Sequence, residues 1–440
     1  MAVFLYNAAW LTSWALTTSW ILIGGIALLF TLLFLLGGLI GPMPRYVLSN
    51  PDAVLHNESD AFVDVLESLT DAKVNRKGTV DVMANGPIFY SAMLTEMRSA
   101  QQSICLEAYI FQKSEIAKLY VEVMTERARA GVQVSVIVDA FGSFSVRHDF
   151  FEPLLEAGGR VERYNGLHWY SLSRLNNRTH RELLIVDGRV GFIGGAGVAD
   201  EWFKGVGSAS RWRDTVVRVQ GEAVPNLVST FAENWLTSHG ELLMGPRYFP
   251  EIQCPDNTLA MVINSTPTPG GSTRARVLFQ MLLASAQRAI SITTPYFLPD
   301  HGLVQELCKA VARGVTVTIL VPGRAADHMM TRSTSRGGYG PLLRAGAEVY
   351  EYQPAMIHAK ILIVDELWAV VGSTNFDNRS FGINDEVNLA VRDKTLAARL
   401  QCDMTQDLAM SRHIGLAEWN QRAFVERGLE VLGWIFERQQ

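Results

Sequence analysis

The sequence predicts an α/β protein: two similar units in tandem, each a sheet covered by helices, behind an apolar N-terminal segment. Three observations predict it. Strand-type and helix-type segments alternate over residues 103–139 and again, in the same order, over 289–322. Each repeat then reaches a histidine motif with an aspartate five residues further on, His180-Arg181-Glu182…Asp187 and His358-Ala359-Lys360…Asp365. Residues 21–40 carry no charged side chain at all.

At 440 residues and 48% hydrophobic content, the chain is long enough for more than one core. A net charge of −5 counts against a nucleic-acid partner, which usually meets a basic surface. Cys105, Cys254, Cys308 and Cys402 are scattered, so neither a zinc site nor a disulfide framework is expected.

The elements follow in order. The run ILIGGIALLFTLLFLLGGLI (21–40) is long enough as a helix to cross a hydrocarbon layer of about 30 Å. No basic stretch precedes it, so it reads as an uncleaved transmembrane anchor rather than a signal peptide. Trp10, Trp14 and Trp20 are placed for the interface, and residues 3–20 leave a second crossing open. Arg45 is the first basic residue, followed by Lys73, Arg76 and Lys77; with one span this puts the body of the protein in the cytoplasm. Gly41-Pro42-Met43-Pro44 ends the anchor (1–44), and 45–75 reads as a polar linker.

The first unit is placed at 76–262 and the second at 263–398. Each opens with a buried-type strand, SICLEAYIF or AISITTPYF. An amphipathic helix follows and stops at Gly131 or Gly314, glycine being the residue that most easily takes the left-handed turn after a helix. Next comes a β-branched strand, VQVSVIVD or VTVTILVP, and this β-α-β order predicts parallel strands joined by crossover helices. The Asp187-Gly188 pair predicts a hairpin turn after the first motif. The boundary is set in the Pro-, Gly-, Ser- and Thr-rich stretch 253–273. Residues 399–440 have helical periodicity and are expected to form a tail packed on the body.

In an extended segment His358 and Lys360 point to the same side. A cation that holds an anion beside an imidazole suits attack at phosphorus. Two such histidines imply a nucleophile and a general acid at one phosphodiester.

The second motif, with its trailing GSTNFDNRSFGINDEVN, resembles the phospholipase D superfamily. The apolar anchor and the segments GVQVSVIVDAFGSF and WRDTVVRVQGEAV resemble bacterial cardiolipin synthases, over roughly residues 80–398. The resemblance implies two phospholipase D-like units about a pseudo-twofold axis, with the histidines at the shared face. It implies a membrane-anchored phosphatidyltransferase of the bacterial inner membrane. That enzyme would condense two phosphatidylglycerol molecules through a phosphohistidine and release glycerol, with no metal or other cofactor.

The resemblance also carries roles. His180 is the nucleophile and His358 the acid/base, with the reverse order open. Lys360, Asn375 and Ser373 clamp the phosphate. Glu386 orients His358, and Asp214 is the counterpart for His180. Asp187 and Asp365 end the motif strands and organise the site without touching substrate. The departure is Glu182, where the family has lysine, with Gly195 and Gly197 in place of Ser373 and Asn375. Three readings of Glu182 stand: an ion pair with Arg178 or Arg211, a contact to a substrate hydroxyl, or loss of activity. Both histidines and both carboxylates are present, so an active site is expected. Arg324, His328, Arg332 and Arg336 form a basic stretch suited either to a lipid phosphate or to solvent. The rivals are a phospholipid hydrolase, a nucleic-acid phosphodiesterase and a catalytically silent lipid-binding protein.

Overall fold

The computed structural model describes residues 18–31, 47–49, 56–166, 176–205, 210–267, 273–327 and 329–422. Part of the expected anchor, Trp10, Trp14, Arg45, His328 and the tail after residue 422 lie outside them. Residues 18–31 are helical, and Trp20, Ile21, Leu22, Ile23, Ile26, Leu28, Leu29 and Phe30 are all exposed there. Among the described residues no helix is long and apolar enough to cross a membrane.

Two mixed sheets carry the fold. The first has seven strands, ordered from edge to edge Gly78–Ala84, Thr215–Gly221, Val190–Gly194, Leu183–Val186, Ser103–Ala108, Gln133–Asp139 and Arg160–Tyr164. The second repeats that order with Leu259–Ser265, Glu386–Arg392, Trp368–Gly372, Ile361–Val364, Ala289–Thr293, Thr316–Pro322 and Glu348–Tyr352. It adds one edge strand at each side, Val74–Asn75 and Ser411–Ile414. The predicted β-α-β strands are parallel, Ser103–Ala108 with Gln133–Asp139 and Ala289–Thr293 with Thr316–Pro322. The motif strands and their hairpin partners run antiparallel.

The sheets pack face to face. Cys105, Leu183, Ile185, Val217 and Val219 meet Val262, Ile361, Ile363, Val387 and Leu389 in one buried layer. The helix Val224–His239 and, from the second half, the helix Lys394–Ala409 fill that layer with Phe231, Trp235, Leu396 and Leu400. Alternation explains this: one face of each strand enters the shared layer and the other lies under its own unit's helices. On the outer side of the first sheet lie the helices Gly86–Ser99 and Glu115–Arg129. On the second lie Arg274–Ser285, His301–Ala312 and Met329–Ala345.

Two expectations about boundaries differ from the structure. The stretch 45–75 is not all tether: the helix Asp60–Thr70 buries Phe62, Val63 and Leu66 in the second unit's core. Its apolar residues recur at helical spacing, which overrides the polar average. The strand Leu259–Ser265 belongs to the second sheet, pairing with Glu386–Arg392, so the change of unit falls before Leu259 rather than after residue 262. As far as residue 422, the expected tail is built into the body. Ser411–Ile414 extends the second sheet, and the Trp419 indole donates to the Arg336 carbonyl at 2.8 Å.

Candidate active site

Both histidines sit just ahead of their motif strands, on extended segments that cross to the other unit. Thr179 forms a parallel bridge with Asp385, and Ile357 forms the equivalent bridge with Arg213. The His180 N–H donates to the Asp385 carbonyl at 2.9 Å and the His358 N–H to the Arg213 carbonyl at 2.7 Å. The two pairs of contacts match residue for residue, which is a local pseudo-twofold.

The crossing exchanges the carboxylates. His180 Nδ1 lies 3.0 Å from Glu386, and His358 Nδ1 lies 3.0 Å from Asp214. The sequence expectation paired them the other way, Asp214 with His180 and Glu386 with His358, and is corrected here. Within one sheet, Asp214 is two strands away from the motif strand, about 9.5 Å at normal spacing and out of hydrogen-bond reach. Across the interface it is adjacent.

Each carboxylate is held in turn. Ser373 Oγ donates to Glu386 and accepts from the Val387 N–H at 3.1 Å. Its hydroxyl is therefore committed to the carboxylate behind His180 and is not a phosphate clamp, as the sequence had it. Gly195 stands at the matching position of the first unit. There Asp214 accepts instead from the Trp202 indole at 2.8 Å and the Thr215 N–H at 2.7 Å. Burial opposes charge on Asp214, but His358, Lys360 and the Thr215 N–H outweigh it and hold its carboxyl below the usual range.

Lys360 is buried beside His358, its Nζ 2.8 Å from the His358 carbonyl and 3.0 Å from Nε2. Burial pulls the ammonium down to about 8 against the pull of Asp214, Glu386 and Glu182. Burial and the neighbouring ammonium together push His358 down to about 4, although Asp214 works the other way. The rings of Trp202 and Trp212 close over His358 at 5.2 and 5.5 Å. Tyr109 packs edge-on against His180 at 5.1 Å.

Glu182 pairs with neither Arg178 nor Arg211. Its Oε1 accepts from the Tyr109 and Ile110 N–H groups, both at 3.1 Å. Burial raises its carboxyl well above the usual range, those two N–H groups and Lys360 opposing. Arg178 lies instead against Asp139 and the Asn165 carbonyl. Asn375 is buried and its Oδ1 accepts no hydrogen bond within the described fold.

Asp187 and Asp365 stand apart from the histidines, at the far ends of the motif strands, roughly 20 Å along the chain at strand rise. Asp187 accepts from the N–H groups of Gln101, Gln102 and Ser103, and Asp365 from those of Gln287, Arg288 and Ala289. They pin the start of the neighbouring strand whose other end reaches the site. They are not in the reacting cluster. Arg332 and Arg336 also leave the list of lipid-facing cations, since both pair with buried Glu351.

Sequence reasoning missed Trp202 and Tyr109, which carry no motif signal. It also missed the network behind His180. There the Tyr164 hydroxyl donates to Asp385 at 2.5 Å, and Thr179 and Asn234 both donate to Glu107. Asp385 was legible as the residue beside Glu386; Glu107 was hidden in an apolar strand.

Comparisons with known proteins bear on the family and the fold. The family model described as cardiolipin synthase, PLD-like domain, matches residues 93–235 and 279–408. The chain is 36% identical to the major cardiolipin synthase ClsA of Bacillus subtilis (strain 168), over 78% of this chain and 72% of that protein. It is 30% identical to cardiolipin synthase A of Pseudomonas putida (strain GB-1), over 81% of this chain and 74% of that one. In fold it is similar to the phosphatidylserine synthase of Haemophilus influenzae Rd KW20, with a TM-score of 0.67 at 13% identity, covering 87% of this chain and all of that one.

Proposed function

Because this chain belongs to the cardiolipin synthase family of phospholipase D-like proteins, and is a phosphatidyltransferase of that type, we propose that it joins two phosphatidylglycerol molecules through a phosphohistidine. The observation that supports this most is the exchanged pairing, which gives both histidines a carboxylate at Nδ1 and so leaves Nε2 as the atom to meet phosphorus, with Lys360 Nζ beside it at His358.

In the first step, His180 Nε2 forms a bond to phosphorus and the P–O bond to glycerol breaks. His358 supplies the proton that leaves with glycerol. In the second, a hydroxyl of another phosphatidylglycerol gives its proton to His358 and attacks phosphorus, and the N–P bond breaks. Asp214 stabilises the His358 imidazolium that acts in the first step and re-forms in the second, and a phosphate anion on Lys360 offsets the ammonium that otherwise disfavours it. His180 is the more accessible of the two histidines, with 12% of its side chain exposed against 5% for His358, which suits the group that first meets the lipid. Asn375, with its unbonded oxygen, belongs to the substrate pocket in this reading. The apolar, outward-facing helix at 18–31 fits a membrane-bound enzyme, and the charge pattern after it fits a cytoplasmic catalytic body.

The test is turnover of purified protein in phosphatidylglycerol vesicles, with products separated by mass. Cardiolipin and glycerol are expected, with at least about a thousandfold loss in His180→Ala and in His358→Ala. Mapping of the trapped phosphatidyl-enzyme under alkaline conditions, which preserve the acid-labile N–P bond, should find it on His180; label on His358 reverses the two roles. Phosphatidic acid as the product would make the enzyme a hydrolase, and no product from any phospholipid would overturn the reading.

A further inference from the structure

The first unit carries an apolar feature that the chemistry above does not use. Directly after the strand Gln133–Asp139 the chain makes a tight loop, Ala140-Phe141-Gly142-Ser143-Phe144-Ser145-Val146-Arg147. Phe141 is 69% exposed and Phe144 77%, the two most exposed phenylalanines among the described residues that belong to the sheets and their loops. Arg147 and His148 follow them on the surface.

This loop is held, not loose. Asp139 Oδ1 accepts from the Phe141 and Gly142 N–H groups at 2.8 and 3.1 Å. Ser143 Oγ donates to the Tyr109 carbonyl at 2.8 Å and accepts from the Phe111 N–H at 2.9 Å. A Cβ at Gly142 would run into the Tyr109 backbone and ring, so the loop lies flush on that residue. The two phenyl rings are therefore presented to solvent by a fixed backbone. Exposing two large apolar side chains side by side costs free energy in water, unless that surface is covered in use.

The loop is also one residue layer from the chemistry. Tyr109 touches the His180 ring, and Asp139, which fixes the loop, also accepts from the Thr179 N–H at 3.2 Å. What covers the rings therefore lies at the mouth of the His180 side. Two phenyl groups with an adjacent arginine match a bilayer surface: the rings enter the acyl boundary and the guanidinium stays at the level of anionic headgroups.

We propose that the Phe141–Phe144 loop is a membrane-docking wedge that seats the His180 mouth on an anionic lipid surface. This rests on the lipid-transfer reading above for why the mouth meets lipid, but the docking itself is measurable without turnover. A spin label on Phe144→Cys reports depth, in full-length protein with Cys254, Cys308 and Cys402 replaced by serine; Cys105 is buried and stays. In vesicles of phosphatidylglycerol and phosphatidylcholine, the label should become accessible to oxygen and protected from a water-soluble nickel chelate. A label that stays fully exposed to the chelate overturns the proposal.

The second arm compares Phe141→Ser/Phe144→Ser with the unmodified enzyme on two forms of phosphatidylglycerol, bilayer and dispersed short-chain monomer. The double variant should lose about tenfold or more on bilayers, the order of losing one buried ring, and keep its rate on monomers. Equal loss on both would mean the loop acts through His180 and not through lipid, which overturns the proposal, as does no loss on either. Insertion of the label with no transfer of any phospholipid would support the wedge while refuting the proposed reaction.

Discussion

The two histidines stand on copies of one motif and live in different surroundings. His358 has the full set, with Lys360 beside it, two tryptophans over it and almost no exposure. His180 has Glu182 in place of the lysine and the Gly195–Gly197 turn in place of Ser373 and Asn375. Yet neither is self-sufficient. The carboxylate behind each comes from the other half, and the serine that holds Glu386 serves His180 although it lies in the second repeat. The unit of function is the pair, so one half can drift in its phosphate-binding residues while the shared centre keeps one ammonium. Gly195 shows how closely the halves are fitted: a Cβ there would come within 2.7 Å of Lys360 Cδ and 2.9 Å of the His358 carbonyl. The first repeat lacks a side chain at that position where the second repeat's lysine needs the room.

The largest test of this comparison is the exchange itself. Asp214→Asn and Glu386→Gln should each lower kcat by roughly a hundred- to ten-thousandfold, in line with a lost orienting carboxylate. The imidazole proton resonance of His358 should move in Asp214→Asn and that of His180 in Glu386→Gln. The opposite assignment would restore pairing within each half.

Next comes the single clamp. Lys360→Ala should cost roughly a hundred- to a thousandfold in kcat/KM, the scale of a lost oxyanion donor. Its ammonium is pulled down to about 8, so the protonated form is lost as pH rises through that value, and kcat/KM should fall on the alkaline side. Lys360→Arg keeps its charge at all those pH values and should move that limb upward. A profile flat to pH 10 in the unmodified enzyme would break the argument.

Gly195→Ser restores the second repeat's residue in the first and should do harm. Displacing the lysine and the strand should lower kcat/KM about tenfold, and a neutral result would mean the two turns are interchangeable. The smallest effect belongs to Glu182. Burial raises its carboxyl well above the usual range, and its Oε1 accepts from two N–H groups, so Glu182→Gln should change kcat/KM by less than about threefold. A large loss would make Glu182 a charged participant and the first repeat more than a partly altered copy.

Much of this was legible before any coordinates. The repeat order 103–139 and 289–322 fixes the parallel strands, because β-branched runs and glycine-stopped amphipathic helices are local signals. The motif spacing singles out His180, His358 and Lys360, since an extended chain puts alternate residues on one side. The place of Asp187 and Asp365 at the far end of the strand was not legible, because hydrogen bonds to residues 101–103 and 287–289 join segments more than 75 residues apart. The helix Asp60–Thr70 was lost in a polar average, and the strand Leu259–Ser265 in a stretch punctuated by proline and glycine on either side.

By itself, then, the sequence singled out the side chains proposed to carry the chemistry and showed that they come in two sets. Only the tertiary structure decided which carboxylate serves which histidine, that Ser373 holds Glu386, that Glu182 binds backbone and that the loop carrying exposed Phe141 and Phe144 rests on Tyr109. The reason is geometric. Periodicity reports which face of its own strand a residue occupies, whereas these partners are set by how two twisted sheets meet, and packing across that interface leaves no trace in the spacing of either strand.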